Sequence, residues 1–130
     1  MAYNNAVTNT AGQLSAITTT IAYTNTTAVT IGTIPANAQI INVHIDVTTA
    51  FDAGTTNTVT VGKTGTAAAY VTATSVGSAG RASVATTGVY SAWANVGTSD
   101  IDYATVTFSQ TGTAATAGAA RVTIVYKSFA

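Results

Sequence analysis

The chain contains no cysteine, which excludes a disulfide framework, a thiolate zinc site and thiol chemistry. Charge is nearly missing too: 6% of residues are charged, against roughly a quarter in an ordinary domain. Glu does not occur, Leu occurs only as Leu14, Met only as Met1 and Pro only as Pro35. Apart from Ala, the residues that sustain helix interiors are therefore scarce, which argues against a helical fold. Long hydrophobic runs are also wanting, and none approaches the roughly 18 apolar residues of a membrane helix. Met1-Ala2-Tyr3-Asn4-Asn5 lacks the basic start of a secretory signal and no apolar stretch follows it, so synthesis in a cytoplasm is expected.

The charges that remain cancel. Lys63, Arg81, Arg121 and Lys127 balance Asp46, Asp52, Asp100 and Asp102, for a formal net charge of zero. A nucleic-acid partner calls for a basic stripe that releases counterions, and four scattered cations do not make one. Neither nucleic acid nor membrane is expected as a partner. A surface of Thr, Ser and Ala costs less to desolvate than one of Lys and Glu. Zero net charge also gives little protection against self-association. Both features suit a protein packed against others, itself included, so a homo-oligomer is expected.

What the chain does have is Thr and Ala, each about a fifth of it, with Val and Ile among them. Thr, Val and Ile favour strands. At 130 residues the length fits one domain, able to bury roughly two thirds of its unfolded surface without staples.

Residues 1–14 are polar and aperiodic and read as an extended N-terminal arm, leaving 15–130 as a single domain. From Ala16 a period of two takes over: Ile17, Thr19 and Ile21 alternate with Thr18, Thr20 and Ala22. Val29 and Ile31 resume it after the break at Asn25. Pro35 and Asn37 mark a turn, with Asn37 expected at positive φ. Next, Ile41, Val43, Ile45 and Val47 are expected on one face of a strand, with Ile40, Asn42, His44 and Asp46 on the other. Further strands are expected around Val59 and Val61, over 68–74, around 82–85 and 89–96, at Ala104, Val106 and Phe108, and at Val122, Ile124 and Tyr126. Turns are expected at 52–54, 62–65, 77–80 and 111–118. Short strands at such spacing predict an all-β fold, an antiparallel β-sandwich of jelly-roll-like form.

Candidate chemistry is sparse. His44 and Asp46 share a strand face, but no nucleophile motif or second histidine completes an acid–base constellation, and a polar outer face explains the pair. Asp100, Asp102 and Asp52 do not reach the oxygen density calcium requires, and turn formation explains them. Gly62-Lys63-Thr64-Gly65 lacks the spacing of a phosphate loop. Arg121 and Lys127 read as solvated protection of a sheet edge. No catalytic residue, metal or cofactor is expected, and the chain is expected not to be an enzyme. The candidate partner-contact residues are Tyr3, Val7 and Leu14, the large apolar side chains of the arm, with Tyr90 and Trp93, although anchoring a thin core is the favoured reading of Trp93.

Three segments carry a family resemblance: IPANAQII at 34–41, VTTAFDAGTTNTVTVG at 47–62, and TGTAATAGAA at 111–120 running into Val122-Thr123-Ile124. In these the chain resembles small head-associated virion proteins of tailed bacteriophages, of the decoration or cement kind. The resemblance implies a jelly-roll-like sandwich on the outside of a capsid, bound to the major capsid protein and reinforcing contacts between its subunits. It implies no catalytic residue. The rival expectation is a carbohydrate- or receptor-binding module of a fibre or tail, built around Trp93, Tyr90 and the 100–102 segment.

Overall fold

The computed structural model describes residues 13–36, 38–82 and 101–128. Eight strands lie within them: β1 (Gln13–Ala22), β2 (Val29–Ile34), β3 (Ala38–Thr49), β4 (Thr56–Lys63), β5 (Thr66–Ser75), β6 (Gly80–Arg81), β7 (Asp102–Thr111) and β8 (Ala119–Ser128). The described residues contain no helix, in line with the shortage of helix formers. The strands form two four-stranded antiparallel sheets, sheet I in the order β1-β8-β3-β6 and sheet II in the order β2-β7-β4-β5. The order is that of one long hairpin wound into two layers: β1 pairs with β8, β2 with β7 and β4 with β5, while β3 and β6 pair across sheet I. This is the jelly roll the strand spacing predicted.

Alternation explains most of the packing. Ile21, Val43, Ile45, Val47, Val122 and Ile124 of sheet I face Ile34, Val59, Val61, Val71, Val106 and Phe108 of sheet II in one buried core. Phe51 closes one end of it, its ring 4.6 Å from that of Phe108 and tilted by 42°, a favoured offset for two aromatic quadrupoles. Gly118, at φ +148°, lies so close to this ring that an added Cβ would fall 2.4 Å from it.

Four expectations are corrected. The phase of β3 slips at a bulge between Ile40 and Asn42, so Ile40 is buried and Ile41 exposed; the extra residue of a bulge breaks the period of two. Arg121 and Lys127 do not guard an edge, because β8 is flanked on both sides by β1 and β3. Gly62 belongs to β4, and the turn narrows to Thr64-Gly65, where Gly65 takes φ +87°. Finally, β1 starts at Gln13, so Leu14 is a ladder residue opposite Lys127, not part of an arm. The expected positive φ at Asn37, the strands at 83–96 and the rest of the arm lie outside the described residues.

Candidate functional site

Of the candidate contact residues, Tyr3, Val7, Tyr90 and Trp93 lie outside the described residues. Leu14 lies near the start of β1, 60% exposed on the outer face of sheet I. In register order its row continues through Lys127 to Gln39, and the next row runs Ala16, Val125, Asn42. Exposed Ile41, pushed outward by the bulge, adjoins that second row. Sequence reasoning missed Ile41, although the doublet Ile40-Ile41 before a polar residue is the signal of a strand changing phase.

Further along the same face the chemistry changes. Thr18, Thr123 and His44 form one row, with the two threonine hydroxyls 3.0 Å apart. Thr20, Arg121, Asp46 and Arg81 form the next across all four strands. Arg81 donates to both oxygens of Asp46, at 2.7 and 3.3 Å. This hydrogen-bonded guanidinium holds the Asp46 carboxyl below its ordinary value, with His44 and Arg121 adding smaller attractions. The carboxylate the sequence placed beside His44 is therefore engaged by a cation from a strand 35 positions away. The depression between these side chains is open and lies on a solvated sheet face, so it does not shield a reacting group from water.

Two of the loops that carry the family resemblance, the one after Thr49 and the one after Thr111, meet at one end of the sandwich. Gly54 and Thr55 donate backbone N–H groups to the carbonyls of Thr113 and Thr111, at 2.8 and 2.9 Å. Asp52 accepts from the Thr116 hydroxyl and N–H, both at 2.7 Å, and from the Ala117 N–H at 2.9 Å. These donors hold its carboxyl below the ordinary value, the Thr116 hydroxyl contributing most. Asn57 brackets the adjoining turn by accepting from the Ala53 N–H and donating to the Ala53 carbonyl. Asp52 is thus a clip between two loops. Asp102 opens β7 opposite Ile34, and Asp100 lies outside the described residues. Among the described residues, no group of three or more His, Cys, Asp or Glu is placed to hold a metal ion, and no helix is long and apolar enough to cross a membrane.

No family model and no curated protein matches the chain. Among solved structures it is similar to a chain of the cyanophage Pam1 capsid asymmetric unit, with a TM-score of 0.68 and 20% sequence identity. The match covers 98% of this chain and 94% of that one. At this identity the likeness establishes a shared fold over chains of nearly equal length. A fold of this kind hosts many functions.

Proposed function

We propose that the chain is a structural protein of a phage virion, bound to the outside of the capsid, where it reinforces contacts between major capsid subunits and performs no chemistry. The observation that carries the reading is the nearly end-to-end match to a chain of a cyanophage capsid asymmetric unit. The high coverage on both sides means that the neighbour is itself a small sandwich of similar length, not one domain of a much larger subunit. The family resemblance of the 34–62 and 111–124 segments points the same way by a separate route.

The surface supports it as well. Attachment to a shell requires a rigid body whose contact area loses water cheaply, and threonine hydroxyls meet that requirement better than ammonium or carboxylate groups. Rigidity comes from the two bonded sheets and from loops tied by Asp52 and Asn57.

The test is reconstitution. Purified protein is added to capsids assembled without it, and the particles are imaged and heated. Saturable density on the outer surface, with shells that rupture at a higher temperature, is expected. Unchanged rupture with no added density, or density confined to the tail or the particle interior, would remove the reading.

A further inference from the structure

Among the described residues the two sheets end in four edge strands, and three of these edges are blunted. The β6 edge of sheet I is two residues long. The β2 edge of sheet II is six residues long and breaks register between Thr30 and Gly32. The β5 edge is longer, but its ladder to β4 shifts twice, between Val59 and Val61 and between Val61 and Lys63. Short strands and bulges are the means by which sheets avoid pairing with a stranger.

The fourth edge has none of these defences. From Gln13 to Ala22, β1 pairs residue for residue with β8 without a shift, Gln13 opposite Ser128 through Ala22 opposite Ala119. Its sequence, QLSAITTTIA, holds no charged residue, no proline and no glycine. Among the described residues no strand pairs with its other side. Leu14, Ala16, Thr18 and Thr20 on its outer face are exposed, and the inward Ile17 is only half-buried.

We propose that β1 is a pairing edge for a second copy of this chain, the two β1 strands joining antiparallel across a twofold axis so that sheet I becomes one continuous eight-stranded sheet. Such an axis, perpendicular to the sheet, keeps outer residues on the outer face in both copies. With Ile17 opposite Ile17 on the axis, Ser15 meets Thr19 on the inner face. On the outer face Ala16 meets Thr18 and Leu14 meets Thr20. Every pair is then uncharged, and each half-buried Ile17 is covered by its twin. The occupant follows from charge and shape: the chain is neutral overall, the strand is uncharged, and its face pattern is complementary to itself. One strand edge is a small contact, so the pair is weak in free solution and strengthens where copies are held side by side. Self-pairing and attachment to a shell are separable, since each has its own assay and either holds without the other.

Sedimentation equilibrium of the full chain from about 10 μM to about 1 mM reads the association directly, as a dimer with a dissociation constant inside that window. The double substitution Ala16→Lys and Thr18→Lys sets introduced ammonium groups opposite one another across the axis, and at least a tenfold weaker dimer is expected. Thr72→Lys, exposed on the blunted β5 edge, leaves the dimer unchanged. Hydrogen exchange of the unsubstituted chain gives an independent reading should the lysine pair unfold the protein. Alternate amides along β1 become more protected as concentration rises. A chain monomeric at 1 mM, a dimer indifferent to the lysine pair, or β1 protection independent of concentration (the signature of an edge covered by the chain's own residues) would each overturn the proposal.

Discussion

The two sheets share one core but solve different problems on their outer faces. Strands of sheet I carry His44, Asp46, Arg81, Arg121 and Lys127, all but Arg81 on interior strands. Strands of sheet II carry Lys63 and Asp102, each at a strand end, and otherwise present hydroxyls such as Thr30, Thr58, Thr60, Thr107 and Ser109. Glycine is divided in the opposite sense. Gly32 and Gly62 sit inside strands of sheet II, whereas β1, β3 and β8 contain no glycine. Sheet I stays long and carries its charges on interlocked ladders, while sheet II is pinched at Gly62 by a close backbone approach that only glycine allows. The lesson is that an uncharged face and a regular edge are separate resources, and this chain places them on different sheets.

The largest test of the comparison is in the shared core. Ile124, fully buried on the central β8, should lose about 3–4 kcal/mol of stability as Ile124→Ala, because the cavity lies between strands paired on both sides and cannot collapse. Urea unfolding measures it, and a loss below about 1 kcal/mol would mean that sheet I is looser than its ladders imply. Next comes the pinch in sheet II. A Cβ at Gly62 would lie 2.2 Å from the Thr66 carbonyl oxygen and 2.5 Å from that of Ala67. Gly62→Ala is expected to cost about 2–3 kcal/mol by forcing the β4–β5 backbones apart. Gly32→Ala meets only Ile17 side-chain atoms at 3.1 Å and costs less.

A smaller effect concerns the loop clip. The folded state holds Asp52 below its ordinary value of 3.8, so its contribution to stability is present above that value. It is lost as pH falls through the lower folded value, because the proton then binds the unfolded chain preferentially. Asp52→Asn should start less stable at neutral pH and show a flatter decline below about pH 4 in thermal unfolding. Parallel curves for the two proteins would show that the clip is not charge-dependent. Smallest of all is the surface pair in sheet I. Arg81→Ala removes the partner of Asp46, yet Arg81 is 61% exposed, so at about 0.15 M salt the unfolding midpoint should not move measurably.

Much of the fold was legible in the residues because alternation is a local signal. Ile21, Val43, Ile45, Val59, Val61, Val106, Val122 and Ile124 could be assigned to the interior from their neighbours alone. The 40–42 stretch was misread for the same reason: a period of two carries no notice of the residue that a bulge inserts. Arg121 and Lys127 were misplaced on an edge because a strand's composition does not say how many neighbours it has. The clip was half legible. The turn at Asp52 could be seen, but its three donors lie 64 and 65 positions away. The place of Leu14 was the least legible: it looked like arm and proved to be strand.

By itself, then, the sequence determined the class of fold, the inward faces, the neutral threonine-coated surface and the absence of thiol chemistry. All four follow from residue type and short-range spacing, through strand propensity and the cost of burying charge. Tertiary structure alone decided that β8 runs between β1 and β3, that Asp46 meets Arg81, and that β1 is a long regular edge strand among the described residues. Those outcomes depend on which strands pair across most of the chain's length, where the free energy of packing the two layers outweighs any local preference.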